Sequence, residues 1–498
     1  MRLSNGYWLL GAAQLVAATP VAAQRHEHGG AIAAEAVAPA EAYARGLYLL
    51  HNFEYDRARA AFVQARVADP TSVMAAWGEA MTHNHPLWMA VDKERGRSAL
   101  ARLGVTPAER RARARTDKER MWLDAVESLY APTAKIAGDV AYNRAMEAMF
   151  ARFPDDVDVR SFAALSVMGL AHKGREISLY MRAAAMLEEV FPTNLKHPGV
   201  LHYLIHAYDD PDHAALGLRA ARLYGAVAPD AGHAMHMTSH IYLALGRWDE
   251  VEKANVLAMT TVNAQRAAGG RPATACGHYE EWRVYALLQQ GRDPSATVDA
   301  CRREGEGEVA AFAGESKLGA ERSQLGSWAM MAARVAVESG RAPLPMAVPE
   351  GRFLLARFWM AYGRMIADGP QRAAAQRELT ALGVPLLAAL AAEQPDDTST
   401  LRWIERAVAQ SEAVAALDVG RRNEGLRLLR QAADAERSLP VEFGPPALPK
   451  PSIELLAESL LALGRKAEAE DAFRAALAAA PGRRRAIHGL QLATTATP

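Results

Sequence analysis

The stretch SIELLAESLLALGRKAEAEDAFRAALAAAP, residues 452–481, indicates the fold class of the whole chain. Leucine and alanine recur along it at the spacing of an α-helix, and Gly464 interrupts the pattern near its middle. In the second half, small Ala469 and bulky Phe473 lie one turn apart, so a partner helix can pack closely against them. Pro481 ends the pattern, because proline cannot continue a helix. The stretch therefore predicts two antiparallel helices joined by a tight turn.

The same pattern recurs elsewhere, clearly over residues 41–70 and 197–229 and more weakly around Gly246, Gly291 and Gly420. It resembles the tetratricopeptide repeat, a 34-residue helix-turn-helix, as it occurs in exported bacterial proteins. In that family small residues let paired helices approach closely, and successive hairpins stack on one another. The resemblance implies an all-α, right-handed superhelical solenoid of tetratricopeptide-like hairpins, some of them degenerate.

The repeat pattern and the loop composition divide the chain into eight segments. Proline-rich PVEFGPPALPKPS breaks any helix and predicts a linker. The predicted segments are a signal peptide (1–23), a flexible mature amino terminus (24–38), amino-terminal repeats (39–90), degenerate helical repeats or an insertion (91–196), central repeats with a histidine cluster (197–304), further degenerate repeats (305–439), the linker (440–452) and a carboxy-terminal repeat with its cap (453–498).

The first 23 residues have the pattern of a secretory signal. Arg2 supplies the positive charge, YWLLGAAQLVAA the apolar run, and Val21-Ala22-Ala23 a small-residue cleavage site. We expect cleavage after Ala23, a periplasmic or secreted mature protein, and no transmembrane span once the signal is removed. The 57 basic and 57 acidic side chains balance, which gives no indication of nucleic-acid binding.

The only two cysteines, Cys276 and Cys301, are separated by a predicted helix, a Gly-Arg-Asp-Pro turn and a second helix. Residues on opposite arms of such a hairpin can lie side by side. Because disulfides form and persist outside the cytoplasm, the two cysteines are predicted to form one. Two buried free thiols are the alternative.

Histidine is concentrated in one part of the chain, where seven of its 15 histidines lie in the 44 residues from His197 to His240. His202 and His206 precede His236 and His240 by 34 residues, the length of one repeat. The two pairs therefore occupy equivalent positions in adjacent first helices, and the i,i+4 spacing within each pair puts both rings on one helix face. Imidazoles paired in this way supply ligands suited to zinc, copper, iron or nickel.

The family resemblance implies that these first helices line the concave groove of the solenoid. Continuing the register adds His51, His85, His233, His278, Asp209, Asp210 and Glu281 to the candidate metal ligands, and Trp77 to the groove wall. The three carboxylates would either bind the metal or orient imidazoles by accepting their second ring proton. So many histidines exceed one four-coordinate site, which implies either two metal ions or histidines that orient ligands or act in catalysis. The alternatives are a metal-free, histidine-rich peptide groove and a satisfied polar core.

The chain has none of the short motifs typical of metalloproteases, α/β-hydrolases, P-loop proteins or dinucleotide-binding enzymes. Three functions remain open. The first is an exported repeat protein whose groove binds a peptide or protein segment, or a substrate, beside the metal cluster. The second is a metalloenzyme, either a copper or iron oxidase or a zinc hydrolase, with Asp209 or Glu281 as the candidate base. The third is capture or delivery of a transition metal, with copper, zinc and iron as candidates.

Overall fold

The computed structural model describes residues 40–320, 323–341, 345–367, 369–394, 397–439 and 443–495. The predicted signal peptide, its cleavage site and the segment 24–38 lie outside the described residues. Within these ranges the regular secondary structure is almost entirely helical, which confirms the all-α prediction. No helix among them has the length and apolar character needed to cross a bilayer.

Twenty-three α-helices follow one another along the described chain. The first eleven are α1 Ala40–His51, α2 Tyr55–Ala68, α3 Val73–Met81, α4 Lys93–Ala101, α5 Pro107–Ala112, α6 Asp117–Leu129, α7 Lys135–Arg152, α8 Val157–Met168, α9 Ile177–Glu188, α10 Pro198–Ala207 and α11 Ala214–Val227. The others are α12 Gly232–Ala244, α13 Trp248–Ala268, α14 His278–Gln289, α15 Ser295–Ala311, α16 Gln324–Ser339, α17 Leu354–Ile366, α18 Arg372–Glu393, α19 Thr398–Asp418, α20 Arg422–Arg437, α21 Ser452–Ala462, α22 Lys466–Ala479 and α23 Arg484–Thr494. Two 3₁₀ turns, Pro86–Trp88 and Phe191–Thr193, and a short antiparallel ribbon of β1 Asn84–His85 and β2 Ala90–Val91 lie between helices.

Consecutive helices form hairpins that pack through small residues. Between α1 and α2, a side-chain carbon on Gly46 would lie 2.7 Å from the ring of Phe62, so this close approach requires glycine. The stretch 452–481 forms α21 and α22, which are joined at Gly464 with a φ of +75°. Glycine adopts this left-handed conformation without the steric cost that other residues have. Phe473 of α22 is fully buried, as its position between small residues predicts.

The chain also folds back on itself, so that segments far apart in sequence meet. At the amino end α1 contacts α10, and the Tyr224 hydroxyl of α11 donates a hydrogen bond to the Asn52 side chain at 2.7 Å. At the carboxy end the buried Arg483 donates to the Tyr285 hydroxyl of α14 at 3.1 Å. An ideal repeat array has contacts only between neighbouring repeats. These additional contacts place α10 against both α1 and α12.

Two large apolar clusters form the core, one from α1 to α12 and the other from the start of α14 to α23. Trp77 belongs to the first cluster and is fully buried. Its ring lies 4.7 Å from that of Trp122 and 5.4 Å from that of Phe162, measured between ring centroids. The expectation that Trp77 lines a groove is therefore wrong, because so large an apolar side chain gains more from burial in the core.

Cys276 and Cys301 form a disulfide, with their Cα atoms 4.9 Å apart. The bond ties the residues just before α14 to α15. Gly277, the last residue before α14, has a φ of +109°, and its N–H donates to the Ser327 hydroxyl at 2.8 Å. The disulfide and this hydrogen bond together hold the start of α14, where His278 lies.

Candidate metal centre

Six histidines from three helices meet in one largely buried region. Residues three and four apart lie on one helix face, so the histidines of α12 form a single stripe towards α10. The start of α10 is held by the His197 ring, which accepts a hydrogen bond from the N–H of Val200 at 3.2 Å, and by Pro198 in the first turn. The six are His202 and His206 of α10, His233, His236 and His240 of α12, and His278 of α14.

The first triad consists of His202, His206 and His233, each of which offers a ring nitrogen within 4.8 Å of the other two. The Nε2 atoms of His202 and His206 are 3.1 Å apart. His202 Nδ1 donates to the carbonyl of His51 at 2.6 Å, so its Nε2 carries a lone pair. The Nε2 of His233 is buried with no hydrogen-bond partner among the described residues. A buried polar atom of this kind is costly unless an ion or another group satisfies it.

The second triad consists of His236, His240 and His278. The Nε2 of His236 lies 3.1 Å from the Nε2 atoms of both other rings. The opposite nitrogens are held by partners, because His236 Nδ1 donates to Asn255 Oδ1 at 2.7 Å and His240 Nδ1 donates to Asp209 Oδ2 at 2.6 Å. Three imidazole nitrogens bound tetrahedrally to one ion would be about 3.4 Å apart. The two 3.1 Å distances from His236 are close to that value.

These hydrogen bonds make two lone pairs of the second triad face each other. The ionised carboxylate of Asp209 can only accept, and the Asn255 amide nitrogen already donates to the Val251 carbonyl at 2.8 Å, so Asn255 presents its oxygen. We therefore assign the ring protons of His236 and His240 to Nδ1. Their Nε2 lone pairs then meet at 3.1 Å. A cation between them, either a proton or a metal ion, removes the repulsion.

The environment disfavours a proton on His236. Burial lowers the pKa of His236 well below its ordinary value, and the adjacent His278 and His240 lower it further. Burial also lowers the pKa of His202 to about 3 and those of His206 and His233 well below the ordinary range. These rings are therefore neutral at physiological pH, which is the form that binds metals. The two triads are geometrically able to bind metal ions.

The two triads adjoin each other. The ring centroids of His206 and His240 are 6.2 Å apart, and those of His233 and His236 are 6.4 Å apart. Helix α12 contributes His233 to the first triad and two rings to the second, so one rigid element positions ligands of both. Two ions bound here would be neighbours in a single centre, as in two-metal active sites.

A third group, His51, Asp158 and His197, has metal-ligand side chains but is satisfied without an ion. Both Nε2 atoms donate to Asp158 Oδ1, at 2.9 Å from His51 and 3.0 Å from His197. The His51 Nδ1 accepts from the Tyr203 hydroxyl at 3.0 Å, and the His197 Nδ1 accepts from a backbone N–H of α10. All four ring nitrogens thus have a complementary partner. The group instead fixes His51, whose carbonyl orients His202.

The predicted carboxylates have different positions in the structure, and none of them belongs to either histidine triad of the described chain. Asp209 accepts from His240 and so orients a ligand. Asp210 forms an ion pair with the buried Arg175 at 2.6 Å, and Arg175 also donates to the carbonyl of His206 at 3.1 Å. Glu281 lines a cavity beside the second triad.

Two of the predicted histidines also lie outside the triads. The ring of His85 stacks on that of Tyr55 with centroids 3.9 Å apart, and its Nε2 lies 3.3 Å from the carbonyl oxygen of Thr82. His51 belongs to the third group. The register predicted eight histidines on one wall, whereas the structure brings six together, because α1 and the β1–β2 ribbon present their side chains to other neighbours.

Two residues at the centre have no signal in the repeat pattern. Asn255 orients His236 from α13, and a single asparagine in a helix gives no sequence clue to this role. Phe443 belongs to the non-helical residues 443–451, called the cover segment here, and its ring lies 6.4 Å from that of His206 and 6.5 Å from that of His240. It therefore touches both triads. The one sequence feature that distinguishes Phe443 is that it is the single aromatic residue in a proline-rich stretch.

A cavity of ≈ 170 Å³ adjoins the second triad. His278, the exposed member of that triad, forms part of its wall. The ring of Trp282 also lines the cavity and lies against the other two ligands, with centroids 4.5 Å from His240 and 4.6 Å from His236. The full lining is His278, Glu281, Trp282, Arg334, Phe443, Pro445 and Ala447. A small molecule in this cavity would contact a metal-binding ring.

No protein-family model matches the chain, and a search of curated proteins finds no match. The chemistry of the site is therefore interpreted from its own geometry.

Proposed function

We propose that the chain is a metalloenzyme in which the two triads bind a pair of copper ions that oxidise a small organic substrate with O₂. The observation that carries this proposal is the contact between the Nε2 lone pairs of His236 and His240, 3.1 Å apart, together with the burial that disfavours a proton on His236. A metal ion resolves this contact. The first triad has the same three-imidazole composition and shares α12 with the second.

The donor set favours copper over iron, and the total charge favours Cu(I) over zinc. All six ligands in the triads are imidazoles, whereas non-haem iron oxygenase sites typically include a carboxylate. Among the described residues, Asp209 is the one carboxylate that accepts a hydrogen bond from a triad ring. Two divalent ions would bring four positive charges into this region, while two Cu(I) ions bring two. The reduced copper pair therefore has the smaller desolvation cost.

A copper pair is suited to a two-electron oxidation. A copper pair held by the two triads would supply two-electron redox chemistry between O₂ and the substrate SH₂. The two electrons and two protons that convert O₂ to H₂O₂ would come from SH₂. The net reaction is SH₂ + O₂ → S + H₂O₂, and the substrate supplies all the electrons and protons.

The cavity beside the second triad is the proposed substrate site. Glu281 lines it, and burial raises the pKa of this carboxyl group, which makes it a stronger base for a substrate hydroxyl proton. Asp209 is engaged with His240 and is therefore assigned an orienting role instead of that of a base. Trp282 and Phe443 are proposed to limit the access of bulk water to the ions.

We also propose that the hairpins form a tetratricopeptide-like superhelix and that the chain acts outside the cytoplasm after loss of its signal peptide. In support, the segments 41–70, 197–229 and 452–481 each contain a pair of helices. The disulfide suits an oxidising compartment. A peptide partner in a groove has less support, because most of the triad rings are buried and the cover segment lies against them.

Copper content and oxygen uptake of the purified protein test the proposed function. We expect two copper ions per chain after anaerobic loading with Cu(I), and O₂ consumption when catechol is supplied as electron donor. The His206→Ala variant and the His240→Ala variant should each bind one copper ion instead of two and should show no oxygen uptake. His488→Ala removes an exposed histidine outside the triads and should keep both, which makes it the matched control.

Other results would point to other functions. If His240→Ala still binds two ions, the second triad is not a metal site. Two tightly bound copper ions without oxygen uptake would favour metal capture or delivery. Stoichiometric zinc in preference to copper would favour a hydrolase.

A further inference from the structure

Arg334 of α16 is a buried cation that forms no salt bridge with a carboxylate of the described residues. Its side chain lines the cavity beside the second triad and is 6% exposed. Neither Nε nor Nη1 has a hydrogen-bond acceptor among the described residues. A buried charge without a partner destabilises a protein strongly, whereas an anion placed beside it removes the cost. The arginine therefore indicates that a negatively charged group enters the cavity.

The acidic groups nearest to Arg334 are engaged with other partners. Glu338 pairs with Arg483 at 3.1 Å and accepts from the Gln289 amide at 3.2 Å. Glu281 accepts a hydrogen bond from Ser327, and burial raises its pKa. Burial likewise lowers the pKa of Arg334, because no neighbour fully compensates the guanidinium charge.

The other walls of the cavity are aromatic and apolar. Trp282 is buried behind one side, and Phe443 and Pro445 of the cover segment form another. The position of the cover segment depends on Gly444, because a side-chain carbon there would lie 2.3 Å from the Trp282 ring. A volume of ≈ 170 Å³ is below the roughly 300 Å³ at which drug-sized ligand sites begin, so the cavity suits a molecule with a single ring.

We propose that this cavity binds a small aromatic carboxylate, with its carboxylate on Arg334, its ring against Trp282 and Phe443, and its oxidisable substituent towards His278. The inference rests on the proposed function and names the substrate class of that site. Arginine suits this role because its planar guanidinium can bind both carboxylate oxygens at once.

Binding of benzoate and of benzamide to the copper-free protein tests the inference. The two molecules share ring and shape, but only benzoate is charged. We expect benzoate to bind at least tenfold more tightly, measured by calorimetry and by quenching of tryptophan fluorescence. Arg334→Gln should remove the preference for benzoate. Arg303→Gln, which replaces an exposed arginine of α15 outside the cavity, should retain it.

Equal binding of the two molecules to the unaltered chain, or no measurable binding of benzoate, would overturn the inference. So would an unchanged benzoate preference in Arg334→Gln. The comparison of benzoate with benzamide on the unaltered chain tests the inference even if the Arg334→Gln variant does not fold. Copper loading of the same samples separates the two proposals, because two bound copper ions without a benzoate preference overturn only this inference. A benzoate preference in a chain that binds no copper overturns only the metal centre.

Discussion

Replacing Asp209 by asparagine removes a single charge behind the second triad while preserving its shape. The carboxylate accepts from His240 Nδ1 at 2.6 Å, and both side chains are buried. An asparagine oxygen can accept the same hydrogen bond, as Asn255 does for His236 at 2.7 Å. The variant should therefore keep the ring orientation and lose only the electrostatic support for the bound ion.

The size of the effect follows from the distance between the carboxylate and the ion. The 2.6 Å hydrogen bond, the width of the imidazole ring and a metal–nitrogen bond of about 2 Å together place the charge about 7 Å from the ion. With an effective dielectric constant of about 20, one unit charge at that distance is worth about 2.4 kcal/mol. This corresponds to about a 60-fold loss of Cu(I) affinity, within the 10–100-fold range usual for residues that orient metal ligands. Cu(II) loses twice as much, so the one-electron reduction potential should rise by about 100 mV.

Competition with a chromophoric Cu(I) chelator measures the affinity of each site, and the first triad serves as an internal reference. Asp212→Asn is the matched control, because Asp212 lies in the same loop and is exposed. Far-ultraviolet circular dichroism should show unchanged helicity in both variants. Wild-type affinity at both sites in Asp209→Asn would refute the assignment of Asp209 as the residue that orients His240, and so would a loss confined to the first triad.

Three further outcomes can be measured. Replacing Cys276 and Cys301 together by alanine removes a cross-link between residues 25 positions apart. The free energy of unfolding measured in urea should fall by about 3.5 kcal/mol. An unchanged unfolding midpoint would contradict this prediction. Burial alone would raise the pKa of Glu454, but Arg483 lowers it to about 2. The ion pair therefore contributes its full stabilisation above the ordinary pKa of 4.5, and this stabilisation is lost as the pH falls towards 2. Glu454→Gln leaves the arginine buried without this partner and should cost about 3–5 kcal/mol at neutral pH in the same assay, together with a weaker pH dependence below 4.5. Phe443→Ala should speed the removal of copper by an added chelator, because the ring touches both triads, and an unchanged rate would show that the cover segment does not restrict access.

The helical hairpins and the candidate histidines could be predicted from the sequence because both depend on short-range geometry. The pattern over 452–481 corresponds to α21 and α22, and the turn falls at Gly464, where the backbone has a positive φ. The i,i+4 spacing of His202 and His206, and of His236 and His240, brings the ring nitrogens of each pair within 3.1 Å. These features follow from the helix period, which the backbone imposes on residues a few positions apart.

The grouping of the ligands was decided only by the tertiary structure. The sequence predicted that the two pairs would converge on one site, whereas the structure adds His233 to the first pair and His278 to the second. It also selected the orienting role for Asp209 among the predicted roles of ligand, base and orienting residue, and it brought Phe443 and Arg334 from distant segments to the same place. Helical periodicity predicts the helix face on which a side chain lies, but it does not predict which neighbouring helix packs against that face. That choice depends on how helices far apart in the chain pack together, and metal coordination depends on differences of a few tenths of an ångström in that packing.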